Sequence, residues 1–331
     1  MLSEVTGCPP NEFLTCHSNV RRNLGTKFSP DGKWLGGGTR DGSVLVWNVA
    51  SRKIAFTTPP KEELQQGFRG SGSYVADYFA FAPDGQHLVI AGSWTIEIWD
   101  VQRQETVKTW TNPEARDPAH LNYSRYTALC FTRDGRYLVG ARFGGGLFVW
   151  DWQGANTSFE PRSTAEYGTR SFDVTADGML AVAGSRAGYR LYTLPDLDVV
   201  SASEDSPHGG IDVDPSPDGS RLAFCVNDVS IFNLKTQTME ARLPHSTYVE
   251  HVAWHPDGTR IAASDTYATT KLWDVETRKV LATFRGSIST FSPDGTILAV
   301  GSQGSQFIGD TRKIGRVTLH HAPTLNEIDR P

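Results

Sequence analysis

The chain has 331 residues, 38% of them apolar and 11% aromatic, enough to form a packed core and to exclude intrinsic disorder as a description of the whole. Its formal net charge of -5 provides no global field for phosphate backbones or anionic lipid, so neither nucleic acid nor membrane is an expected partner. No apolar run reaches the roughly 18 residues of a membrane-spanning helix, and the first 13 residues lack a basic start and an apolar stretch, so a cytoplasmic location is expected.

Reading from the N-terminus, Cys8 and Cys16 come first, and Cys130 and Cys225 lie farther on inside apolar, strand-like runs. None stands in C-x-x-C spacing, so free thiols are expected in place of a zinc site or a disulfide framework. At Ser29-Pro30-Asp31-Gly32 a tetrapeptide appears that recurs, with Asp-Gly kept in every copy and Pro replaced by Arg133 and Ala176 in two, at 82–85, 132–135, 175–178, 216–219, 255–258 and 292–295. The aspartates are 53, 50, 43, 41, 39 and 37 residues apart. In Pro-Asp-Gly, Pro presets φ, Asp bonds the backbone downstream, and Gly takes the positive φ that closes a reversal. Each copy therefore predicts a hairpin tip.

The residues before each tip end in an apolar position (Phe28, Phe81, Phe131, Val174, Val213, Trp254, Phe291). Those after it are short apolar runs such as 87–91, 137–140, 222–226 and 297–300, which read as strands buried on both faces. A third strand follows at 44–47, 96–99, 147–150, 189–192, 229–232, 270–273 and 316–320, and a weaker fourth at 53–57, 106–110 and 280–284. Four strands per unit without helical periodicity exclude βαβ architectures and leave antiparallel sheets repeated radially. The expectation is one all-β domain over 1–331, a closed seven-bladed β-propeller of four-stranded antiparallel blades.

The third strands end in Trp99-Asp100, Trp150-Asp151 and Trp273-Asp274, with Trp47-Asn48, Tyr192-Thr193, Phe232-Asn233 and His320-His321 in the same register. In this the chain resembles the WD-repeat β-propellers, over residues of about 13 to 330. The resemblance implies a hydrogen-bond tetrad joining a His, a Ser or Thr, an Asp and the Trp. In the first unit His17, Thr39, Asp41 and Trp47 match that pattern. In the sixth, His245 and Trp273 match, with Ser264 and Asp265 in a lengthened turn. It also implies that a strand from the opposite terminus completes the last blade, for which 12–16 and 325–328 both qualify.

Motifs for catalysis are missing from the sequence: no G-x-S-x-G, G-x-G-x-x-G, H-E-x-x-H or P-loop string occurs. His245, His251 and His255 fall on strand and turn positions, so they read as structural. Gly36–Gly38 and Gly144–Gly146 follow strands and open no helix, so they read as sites of close backbone approach, not as phosphate loops. No catalytic residue, metal or cofactor is expected.

Function is expected on the face carrying the loops between blades and the second-to-third strand turns. The inter-blade loops 58–77 and 111–126 are long, and together with the turns they bring Arg40, Trp94, Tyr123, Arg125, Arg142, Phe143, Arg186 and Tyr189 to that face. Arg and aromatic side chains make interface hot spots, and the guanidinium fork pairs with carboxylate or phosphate. The expected function is a non-catalytic scaffold, monomeric by itself, that binds an acidic or phosphorylated peptide or protein. The alternatives are a lactonase-like propeller hydrolase, which requires polar groups at equivalent starts of the first strands, where none are read in consistent phase, and a detached sensor region of a larger signalling protein.

Overall fold

The computed structural model describes residues 13–19, 25–39, 42–60, 78–92, 95–111, 126–142, 145–154, 162–163, 169–184, 189–203, 211–225, 227–302 and 314–322. All seven tetrapeptides close tight turns in which the Gly takes a positive φ between 67° and 87°. Within the turn the aspartate is held by its neighbours. Asp218 accepts a hydrogen bond from the Ser216 hydroxyl at 2.5 Å and another from the Ser220 amide at 3.1 Å, and Asp31 and Asp294 repeat the arrangement with Ser29 and Ser292. Where the first slot has no hydroxyl, another donor takes over. His87 Nδ1 lies 2.6 Å from Asp84, and Arg260 donates to Asp257 at 2.8 Å from a side chain that is 0% exposed.

These turns join the first two strands of seven four-stranded antiparallel sheets, six of them running outward in chain order from an inner strand. The inner strands are Thr26–Phe28, Phe79–Phe81, Tyr126–Phe131, Thr169–Val174, Asp212–Pro215, Val249–Trp254 and Ile288–Phe291. Each neighbours the next, and the last packs beside the first, so the ring closes. The predicted third strands are observed in every blade.

Blade seven is finished by the N-terminus. Strand Phe13–Asn19 pairs antiparallel with Ile314–His321, Phe13 opposite Thr318 and Cys16 opposite Gly315. Of the two termini that could close the ring, the N-terminal one does; residues 325–328 lie outside the described residues. His17, expected in the first unit, consequently sits on the outer strand of blade seven.

The blades adhere through apolar contacts. Trp47 packs with Leu35, Ala299 and Val317 between blades one and seven, and Trp99 packs with Val46 and Phe79 between blades one and two. Trp150 and Trp273 fill the corresponding positions between blades two and three and blades five and six. The run Gly36–Gly38 is steric in origin. A Cβ at these positions would lie 2.6 Å from the Phe79 ring, 2.7 Å from the Trp47 ring and 2.8 Å from the Tyr78 hydroxyl, respectively.

Candidate functional site

Of the residues expected at the binding face or in the first tetrad, Arg40, Asp41, Trp94, Tyr123, Arg125, Phe143 and Arg186 lie outside the described residues. Arg142 ends the strand Tyr137–Arg142, which places it on that face. Tyr189 does not belong there. It starts strand Tyr189–Tyr192, is 2% exposed, and packs with its ring centroid 4.8 Å from that of Phe232 between blades four and five, so it is a core residue. Sequence reasoning overlooked two exposed aromatics of blade six, Tyr248 at 58% and Tyr267 at 77% exposure. Their segments are linked, with Thr266 N donating to Tyr248 O at 3.0 Å, and Asp265 fixes the turn by accepting from the amides of Tyr267 and Thr269 at 2.9 Å each.

The expected tetrads are only partly formed. In blade six Trp273 Nε1 donates to His245 Nε2 at 3.3 Å, while His245 Nδ1 is buried without a partner. Burial, with Lys271 nearby, lowers His245 to about 4, so the imidazole is neutral at physiological pH. Ser264 turns away to Thr270 at 2.7 Å, and Asp265 serves its own turn, so the alignment left open by the lengthened turn resolves into a His–Trp pair. In the first unit Thr39 bonds to Ser43, and the Tyr78 hydroxyl from blade two accepts from Thr39 N at 2.8 Å and donates to Ser43 O at 2.8 Å. A tyrosine thus ties together the end of this hairpin.

The inner strands surround a channel of about 570 Å³. Aligning the units on the turn aspartate identifies the side chains that line it. Four residues before that aspartate stand Lys27, Ala80, Cys130, Asp173, Asp214, Ala253 and Thr290, and six before it blades four to six carry Ser171, Asp212 and His251. The polar phase that a propeller enzyme would require is therefore present on blades four and five. It was missed because a two-residue period on strands this short shows only once the copies are superposed on their turns.

Asp173 accepts from Val174 N at 2.7 Å and Asp214 from Trp254 N at 2.6 Å. Burial pushes both carboxyls above the usual range; the charge of Asp173 pushes Asp214 further, while Lys27 and Arg133 pull Asp173 the other way. The Ser171 hydroxyl donates to Asp212 at 2.5 Å, and His251 Nε2 lies 3.9 Å from the other oxygen of that carboxylate. With the carboxylate between hydroxyl and imidazole, His251 is not placed to take the serine proton, so these three groups do not form a nucleophilic triad. Among the described residues no group of three His, Cys, Asp or Glu side chains is placed to hold a metal ion. Burial raises the Cys225 thiol well above its usual value, which keeps it an inert thiol.

A radial ring of seven four-stranded sheets around a channel defines a β-propeller. The family model described as WD domain, G-beta repeat matches residues 8–48 and 237–274. Periodic tryptophan protein 2 homolog of Caenorhabditis elegans is 21% identical over 285 residues, covering 85% of this chain and 27% of that protein. WD repeat-containing protein SL1-17 of Schistosoma mansoni is 28% identical over 204 residues, covering 56% of this chain and 65% of that one. Apoptotic protease-activating factor 1 of Homo sapiens is 32% identical over 96 residues, 29% of this chain and 7% of that protein. The chain thus spans less than two thirds of each of these relatives. Repeat, architecture and matches together support a seven-bladed WD-repeat β-propeller.

Proposed function

We propose that the protein is a non-catalytic interaction scaffold that receives a peptide or protein segment on its loop face. The observation that carries this reading is the pair Tyr248 and Tyr267, exposed on two linked turns of blade six. Large aromatic side chains held on ordered turns bury much area at little entropic cost when a partner arrives. Arg69, Arg116 and Arg125 of the loops 58–77 and 111–126, with Arg142 and Arg186 of the turns, extend the surface and favour acidic or phosphorylated segments. Relatives built on the same repeat support a scaffold over an enzyme, as does the order of Ser171, Asp212 and His251, which keeps the imidazole from serving as base to the serine.

Affinity capture followed by mass spectrometry tests this, comparing the wild type with Arg142→Glu/Arg186→Glu, Tyr248→Ser/Tyr267→Ser and the turn-face pair Lys33→Glu/Arg136→Glu. A partner lost from either loop-face variant and kept by the turn-face one is expected. A partner that survives both loop-face variants and disappears from the turn-face variant would refute the assignment.

A further inference from the structure

We propose that copies of this chain join edge to edge, the outer strand of blade four on one copy pairing with the outer strand of blade six on the next. The contact is independent of partner docking on the loop face, and it replaces the monomer expected from the sequence with a concentration-dependent assembly.

The edge of blade four is open to pairing. Strand Val199–Ser203 is the last of its sheet, so among the described residues no strand covers its outer row of backbone groups. Proteins ordinarily guard such edges with charged side chains. The outer strands of blades one, two, five and six each carry at least one Lys, Arg or Glu, whereas Val199–Ser203 carries none. Val200 is an extra residue in the pairing with Tyr189–Tyr192, and at this bulge two adjacent side chains are exposed, Val199 at 56% and Val200 at 54%.

Charge selects the occupant. Asp198 precedes the strand, and Glu204 and Asp205 follow it, within a stretch from 191 to 220 that holds seven acidic residues and no Lys or Arg. That stretch is more negative than the whole chain, whose net charge is -5. Two blade-four edges laid antiparallel would set Asp198 of one copy against Glu204 of the other, so a symmetric pair is disfavoured. Blade six offers the opposite pattern. Its outer strand, Lys279–Arg285, begins and ends on exposed basic residues, exposes Val280 and Leu281 between them and contains no acid. Five uncharged residues separate the flanking charges on each edge, 199–203 on one and 280–284 on the other. In antiparallel register Asp198 stands opposite Arg285, Glu204 opposite Lys279, and Asp205 opposite Arg278, which also donates to Glu240 O at 3.0 Å. A parallel register matches only the first two acids. Each such contact leaves one edge of either kind unused on the joined pair, so it is heterologous and adds further copies.

Sedimentation velocity of the full chain over a range of concentrations tests the proposal. The wild type is expected to form species larger than a dimer, more at low salt than at high salt. Asp198→Lys/Glu204→Lys makes both edges basic, and Lys279→Glu/Arg285→Glu makes both acidic. Each variant alone should need at least about tenfold more protein to assemble, because like charges then face each other. An equimolar mixture of the two should recover assembly, since every contact again joins an acidic edge to a basic one. Both variants should keep the melting temperature of the wild type, because exposed charges contribute little to stability. The turn-face variant Lys33→Glu/Arg136→Glu should assemble as the wild type does. A wild type that stays monomeric up to about 1 mM would overturn the proposal. So would assembly that persists in both edge variants, a mixture that does not recover it, or association that stops at a dimer and is lost only in the blade-four variant.

Discussion

Asp218 and His245 both titrate below their usual values, and together they shape the acid response. The Ser216 hydroxyl, then the Ser220 amide and hydroxyl, hold Asp218 at about 2 against an ordinary 3.8, despite partial burial. A depressed carboxyl contributes stability that is fully present above 3.8 and is lost as pH falls toward 2. His245 sits at about 4 against 6.5, so the unfolded chain takes up its proton first and stability declines as pH drops from 6.5 to about 4. Urea midpoints measured against pH should fall in two limbs, and His245→Phe should flatten the upper one only. Trp99, buried between blades one and two and stacked on Phe56 with centroids 6.3 Å apart, should cost about 3 to 5 kcal/mol as Trp99→Ala, read by the same denaturation. A loss below 1 kcal/mol would place it outside the interblade packing.

Among the elements, those governed by local chemistry could be read before folding and those governed by distant contacts could not. A Pro-Asp-Gly tip carries its own instructions, so every predicted turn stands where the sequence put it, and the apolar runs flanking the tips became the expected strands. Tyr189 was misplaced because its position after a turn says nothing of Phe232, which lies about one repeat farther on. Tyr78 escaped notice for the same reason: its hydroxyl meets Thr39 from across 39 residues of chain. The glycines of strand Trp34–Gly38 were recognised as close-approach positions, although the rings that crowd them were not foreseeable. Gly37→Ala would set a methyl against Trp47 and should destabilise by about 1 to 3 kcal/mol through overpacking, measurable as a lowered urea midpoint. Gly135→Ala, at a positive-φ turn, should cost less, about 1 kcal/mol.

Across the whole molecule, the sequence repeat and the blade are out of phase by one strand. The matched segment 237–274 begins with the outer strand of blade five and ends with the third strand of blade six; segment 8–48 likewise joins the outer strand of blade seven to the first three of blade one. Each repeat therefore staples two blades, and closure follows from the offset itself. Removing residues 1–19 should leave strand Ile314–His321 as an open edge and lower the melting temperature, and a synthetic peptide of residues 11–20 added in trans should restore part of the loss. No recovery with saturating peptide would mean that the strand contributes little to closure.

That shared final blade also determines where attachments emerge. Phe13 lies opposite Thr318, and Ala322 N donates to Thr296 O at 2.8 Å beside the seventh turn tetrapeptide, so the chain enters and leaves the disc on the turn side. Phe13 and Ala322 thus both stand on the side away from the loop face. Pulling the two ends apart would peel the antiparallel pair bond by bond, so under force the ring should come undone first at this seam.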